Sequence, residues 1–245
     1  MDYRRAYSYL FSKPDWIQTV LLLAVCVLIP IVGVFVLLGY RSEQLDDWLD
    51  EGTDAKVKTF DFNRFADLLM RGVWPFLYQL IIGIVFGIPL GVAYFGVLMI
   101  ALGFAKNNEP GIFFIIFGLF YLFAFFVQVI AKMVAWPFVL HGQVSGKFEF
   151  GAAWTFAKEF YSKIGFANLG GISLCCMIID LVCAIIGTML LCVGIYPAIA
   201  IFMMAEGHIL WQLYRKHIEQ GGSTIPRFEK PRPRSRDVDN RPVDE

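Results

Sequence analysis

The sequence predicts an all-α fold: a polytopic membrane helical bundle of five to six transmembrane segments with cytoplasmic interfacial amphipathic helices. Three observations predict it. Of 245 residues, 58% are hydrophobic and 16% aromatic, with a mean hydropathy of +0.61, far from the balance of a soluble globular domain. The apolar residues fall in runs long enough for spans of about 20 residues. Between those runs lie short segments that place aromatic residues on one helical face and charges off it.

Residues 1–16 mix basic and aromatic side chains, with Tyr3, Tyr7, Leu10 and Phe11 at helical spacing, a composition suited to a membrane interface. Residues 1–16 carry Asp2, Arg4, Arg5, Lys13 and Asp15, and no small-residue cleavage site follows the first apolar run, so no cleavable signal peptide is expected and that run should stay in the mature chain. That run, Ile17–Tyr40, is uncharged for 24 residues but interrupted by Pro30 and Gly33. It fits either one kinked span or a helical hairpin turning at Pro30.

The segment 41–71 is rich in acid, and its end places Phe62, Phe65 and Leu69 on one face, which predicts a short interfacial helix. Gly72–Ala105 follows, 34 residues without a charge, about 51 Å if wholly helical, and is read as one long tilted span or one broken at Pro89. A polar turn at 106–110 (KNNEP) leads into Gly111–Leu140, a span that contains Lys132. Residues 141–163 hold a second amphipathic helix, with Phe150, Ala153, Trp154, Ala157, Phe160 and Ile164 on one stripe. FDF at 60–62 and FEF at 148–150 each open such a segment, the mark of a weak internal repeat.

Between Lys163 and Glu206 the only charge is Asp180. That run is too long for one span and reads as two, Ile195–Tyr214 being the last, reversing near residue 193 around Gly194 and Pro197. A hairpin centred there sets residues whose numbers sum to about 386 at one depth, and Asp180 and Glu206 meet that condition. With His208 half a turn away and Lys132 on the preceding span, these four residues are the candidate intramembrane polar site. Two acids in one low-dielectric place form a proton-holding pair or a cation ligand set. The alternative leaves Asp180 protonated and bonded to backbone, with Glu206 and His208 facing a cytoplasmic vestibule. Lys132 either snorkels to the interface or reaches the acids and neutralises them. His141 is placed at an interface, at its span's end.

Residues 1–218 are read as the membrane domain and 219–245, rich in Pro, Arg and Asp, as a disordered cytoplasmic tail. With Ile17–Tyr40 as a hairpin, 19 of the 21 basic residues fall on the cytoplasmic side; with a single crossing, 16 do against 4 outside. Both counts put the C-terminus in the cytoplasm. The five cysteines lie in apolar stretches and read as small buried hydrophobes. No nucleophile elbow, HExxH, phosphate loop or dinucleotide fingerprint is present, and three histidines leave little for a multi-His metal centre. The expectation is a chain that is not an enzyme, with no metal and no cofactor. Its partners would be the lipid bilayer and a membrane-protein partner or a second copy. Nucleic acid is not among them.

Phe11, Pro14 and Trp16 before the first apolar run, LIPIVG at 28–33, Gly39-Tyr40 after it, FADLLMRG at 65–72 and HILWQLYR at 208–215 together resemble the domain of unknown function 4013 family, multi-pass membrane proteins of bacteria and archaea. The resemblance spans nearly the whole chain and implies a multi-pass fold in a prokaryotic inner membrane. It implies no activity. Two departures stand out: VKTFDF occupies the place of a Leu-Pro-Glu-Trp type segment, and Trp211 stands where glycine is usual. Two functions remain open, a scaffold or accessory subunit, and a small transporter or permease component that moves a proton or cation past the acidic pair.

Overall fold

A computed structural model describes residues 1–12, 15–29, 31–52, 60–106, 110–189 and 194–228. Every regular element among them is helical. In chain order these are α1 (Tyr3–Ser8), α2 (Trp16–Val27), α3 (Val32–Glu51), α4 (Phe65–Lys106), α5 (Pro110–Ser145), α6 (Phe150–Ile164), α7 (Phe166–Met189) and α8 (Ile195–Glu219). Short 3-10 turns at Tyr9–Ser12 and Phe62–Arg64 follow α1 and precede α4.

Three segments are long and apolar enough to cross a bilayer: Phe62–Phe104, Gly111–Ser145 and Phe166–Met189. The bent pair Tyr3–Ser12 and Trp16–Val27 makes a fourth if counted as one span. By length and composition the described residues thus hold three to four candidate spans of the expected five to six. α3 meets Arg41 nine residues after its start, and α8 meets Glu206 eleven residues after its own, so each has only about 14–16 Å of uncharged helix. A hydrocarbon core of about 30 Å needs twice that. The break after α2 favours the hairpin over a single kinked span: Ile31 begins the return at φ +66°, and a Cβ on Gly33 would lie 1.7 Å from the Cys26 carbonyl oxygen. Pro30 itself, and the reversal at 190–193, lie outside the described residues.

α4 passes unbroken through Pro75 and Pro89, so the amphipathic turn at 65–71 is its first two turns and not a separate helix. Tertiary contact keeps it straight through Gly72. A Cβ on Gly72 would stand 1.7 Å from the Phe35 carbonyl oxygen, and one on Gly39 would stand 1.8 Å from that of Leu68. The two pairings run in opposite senses along the chain, so α3 and α4 are antiparallel and touch backbone to backbone. By contrast α6 ends cleanly at Gly165, whose φ of +84° stops the helix. The two halves of the proposed repeat therefore differ: one amphipathic segment is fused to its span and the other is hinged from it.

Below the level of Lys132 the three hairpins have unequal reach. From Lys132 to the start of α5 is 22 residues, about 33 Å, whereas Asp180 is nine residues, about 14 Å, from the end of α7. The outer halves of α4 and α5 pair with each other, through Tyr94 against Phe117 and Phe120, and expose Ile88, Val92, Phe95, Phe114, Leu119 and Phe126. At the other end of the molecule Trp48, Trp136, Phe156, Phe160, Trp211 and Tyr214 form one core, which α6 joins through Phe156, Phe160 and Ile164, while its Ala153 and Ala157 pack with Tyr78, Phe138 and Val139.

The segment 220–228 departs from the expected disordered tail. It folds back over that core: Ile225 is buried and donates its N–H to the Tyr214 hydroxyl at 2.8 Å. The Phe228 N–H reaches the Val144 carbonyl at 2.9 Å, Arg227 pairs with Asp50, and Ser223 donates its N–H to Glu159 at 2.9 Å. Residues 229–245 lie outside the described residues. Among the cysteines Cys26 and Cys176 are buried, but Cys175 is exposed and Cys183 half-buried. Cys192 is not among the described residues.

This strap carries a pH dependence. Burial pushes the His217 imidazole below its ordinary value against the opposing pull of Glu159 and the Ser223 carbonyl, while Lys163 adds to the lowering. Phe156, Phe160 and Tyr214 pack its ring. Hydrogen bonds from Ser223 hold the Glu159 carboxyl below its ordinary value. Both groups bind protons more readily unfolded than folded, so their contributions are present above the unfolded values and fade as pH falls. His217 acts first, below about 6.5. A fluorophore on Thr224→Cys should lose anisotropy between pH 7.5 and 5.5, and His217→Gln should flatten that change. An anisotropy constant with pH in the parent would contradict the assignment.

Candidate functional site

α5 brings Lys132 and Trp136 to one face, four residues apart. Lys132 Nζ donates to Asp180 Oδ2 on α7 at 3.0 Å and lies 3.4 Å from Glu206 Oε1 on α8. Trp136 Nε1 donates to the same Glu206 oxygen at 2.8 Å. From α3, Arg41 Nη1 donates to the other, Oε2, at 3.0 Å. Four helices, α3, α5, α7 and α8, thus meet in one cluster of two cations and two carboxylates. Gly207 makes room for it, because a Cβ there would fall 2.8 Å from Arg41 Cγ.

One ammonium reaches both Asp180 and Glu206, which brings the two acids to one level of the bundle. Their relation differs from a bare acidic pair. Lys132 stands between them, choosing the acids over the snorkelled position, and Arg41 takes the far side of Glu206. Opposite charges in hydrocarbon find their best partner in each other.

His208 is not part of the cluster. Two residues along a helix turn the side chain by about 200°, to the opposite face, where His208 stacks on Tyr9 with ring centroids 5.2 Å apart and meets Trp48 and Trp211. Its Nδ1 lies 2.9 Å from Gln212 Nε2. His141, expected at an interface, is buried between Tyr78 and Phe156 because α5 runs on to Ser145. Arg41 and Trp136 are absent from the sequence-derived set. Trp136 was legible as the residue one turn from Lys132; Arg41 looked like a loop charge because it closes an apolar run.

Over the cluster lies a cleft of about 300 Å³. Arg41, Lys132, Asp180 and Glu206 line its charged wall, Gln79 and Gln128 its polar flank, and Ile82, Gly83 and Met177 its mouth. Arg41 is 1% exposed, whereas Asp180 keeps 30% of its side chain accessible. Among the described residues no three His, Cys, Asp or Glu side chains are placed to hold a metal ion. The arrangement can tie helices together and can present both signs of charge to a polar group entering the cleft.

A family model described as "Protein of unknown function (DUF4013)" matches residues 22–191. Neither the curated proteins nor the solved structures provide a match.

Proposed function

This chain belongs to the family described as "Protein of unknown function (DUF4013)", and from that premise we propose that it is a scaffold or accessory subunit of a prokaryotic inner membrane, its C-terminus cytoplasmic. The observation that carries the reading is the cluster's balance: Lys132 and Arg41 offset Asp180 and Glu206 one for one. A carrier of protons or cations needs an acid whose charge the passing ion satisfies, and here each acid already has a fixed partner. Such a cluster serves to hold α3, α5, α7 and α8 in register. The long apolar faces of α4 and α5 then remain for lipid and for partner helices, and the reading assigns the chain no catalytic step.

The second reading, a transporter or permease component, draws on the partial exposure of Asp180 to the cleft. Proteoliposomes separate the two. Under the scaffold reading, proton and cation flux through Asp180→Asn equals that of the parent and of empty vesicles. Flux in the parent that Asp180→Asn abolishes would replace it with the transporter.

A further inference from the structure

We propose that the charged cleft and the groove beside it on α4 form one binding site for an amphiphile with a zwitterionic phosphate-and-ammonium headgroup and a single hydrocarbon chain. The two cavities adjoin, sharing Gln79 and Gly83. The first, about 300 Å³, is charged. The second, about 420 Å³, runs on along α4 past Leu80, Ile84, Gly87 and Ile88 and is apolar. A Cβ on Gly83 or Gly87 would meet nothing within 4 Å, so these glycines, unlike Gly39 and Gly72, leave space that no helix of this chain fills.

The headgroup follows from the charges. Ile84 in the groove is exposed, as are Ile81, Ile178 and Leu181 next in sequence to Ile82, Met177 and Asp180 of the cleft, so the polar wall stands in an apolar neighbourhood, where uncompensated polar surface is costly. A lone anion or cation would upset a balanced cluster in a low dielectric; a zwitterion leaves it neutral. Arg41 lines the cleft, and a guanidinium is suited to a phosphate oxygen. The exposed part of Asp180 suits an ammonium. A single chain suits the groove because it is bounded by one helix face, where Gly83 and Gly87 leave space between Leu80, Ile84 and Ile88, and its length continues away from the charges.

The test uses the full chain purified in detergent, with 1-palmitoyl lysophosphatidylethanolamine as probe and Trp136, whose indole lines the cleft, as reporter. Saturable binding is expected, weakened about tenfold or more in Gly83→Leu and Gly87→Leu with the unfolding temperature unchanged. Gly96→Leu, on the same helix outside both cavities, should bind like the parent. O-phosphoethanolamine, the head without a chain, and lysophosphatidylglycerol, the same chain with an anionic head, should each bind at least tenfold more weakly than the probe. Absence of saturable binding, equal affinity in all three glycine variants, or either comparator binding as tightly as the probe would overturn the proposal.

Discussion

Glu206→Ala should cost about 3–5 kcal/mol of stability, the usual penalty for stripping one partner from a buried ion pair. The loss concentrates on Arg41. Its guanidinium is 1% exposed, cannot be deprotonated at any accessible pH, and would keep only the space beside Gly207 that Glu206 now satisfies. Trp136 would lose its acceptor as well. Adding Arg41→Met removes the orphaned charge and should recover more than half of that loss, as replacement of a whole buried pair by apolar groups commonly does. Denaturant or thermal unfolding of the two singles and the double in matched detergent checks this. A double variant as unstable as the sum of the singles would show that the two residues act independently.

Gly39→Leu and Gly72→Leu should be comparably damaging, for a steric reason. At 1.8 and 1.7 Å from carbonyl oxygens of the facing helix, a Cβ overlaps backbone, which has no rotamer to move to, so α3 and α4 must separate along their shared length. Overpacking of a single side chain costs about 1–3 kcal/mol; prying apart two helices that meet backbone to backbone adds their lost packing. Gly103→Ala on the outer part of α4, where nothing lies within 4 Å, should instead stabilise by about 0.5–1 kcal/mol through helix propensity alone. Unfolding temperatures that rank the three variants in any other order would contradict the packing described.

How far the fold was legible depends on what each residue had to know about its neighbours. Asp180 and Glu206 could be set at one depth from numbering because a hairpin obeys a simple sum, and Lys132 confirms the level by touching both. His208 shows the limit of that rule: depth was right but azimuth was not, since two helical steps point away from the cluster. Gly72 and Pro75 look like helix breakers in sequence, yet α4 continues through both because Gly72 is held against Phe35. The tail's composition suggested no order before the chain end, but Ile225 and Phe228 find sites prepared by Tyr214, Val144 and Gly146. Such sites exist only once distant helices have met. α3 and α8 stand outside the three to four candidate spans because their first halves are apolar and their second halves belong to the aromatic core.

The most direct test of the account is a charge exchange across α5 and α7. Lys132→Asp and Asp180→Lys should each be strongly destabilised, and the double exchange, which restores an opposite pair at the same depth, should return most of the lost stability in a thermal unfolding measurement. A double exchange no more stable than the weaker of its parents would mean that the ammonium and the carboxylate do not meet inside the bundle, and the cluster built on their meeting would not stand.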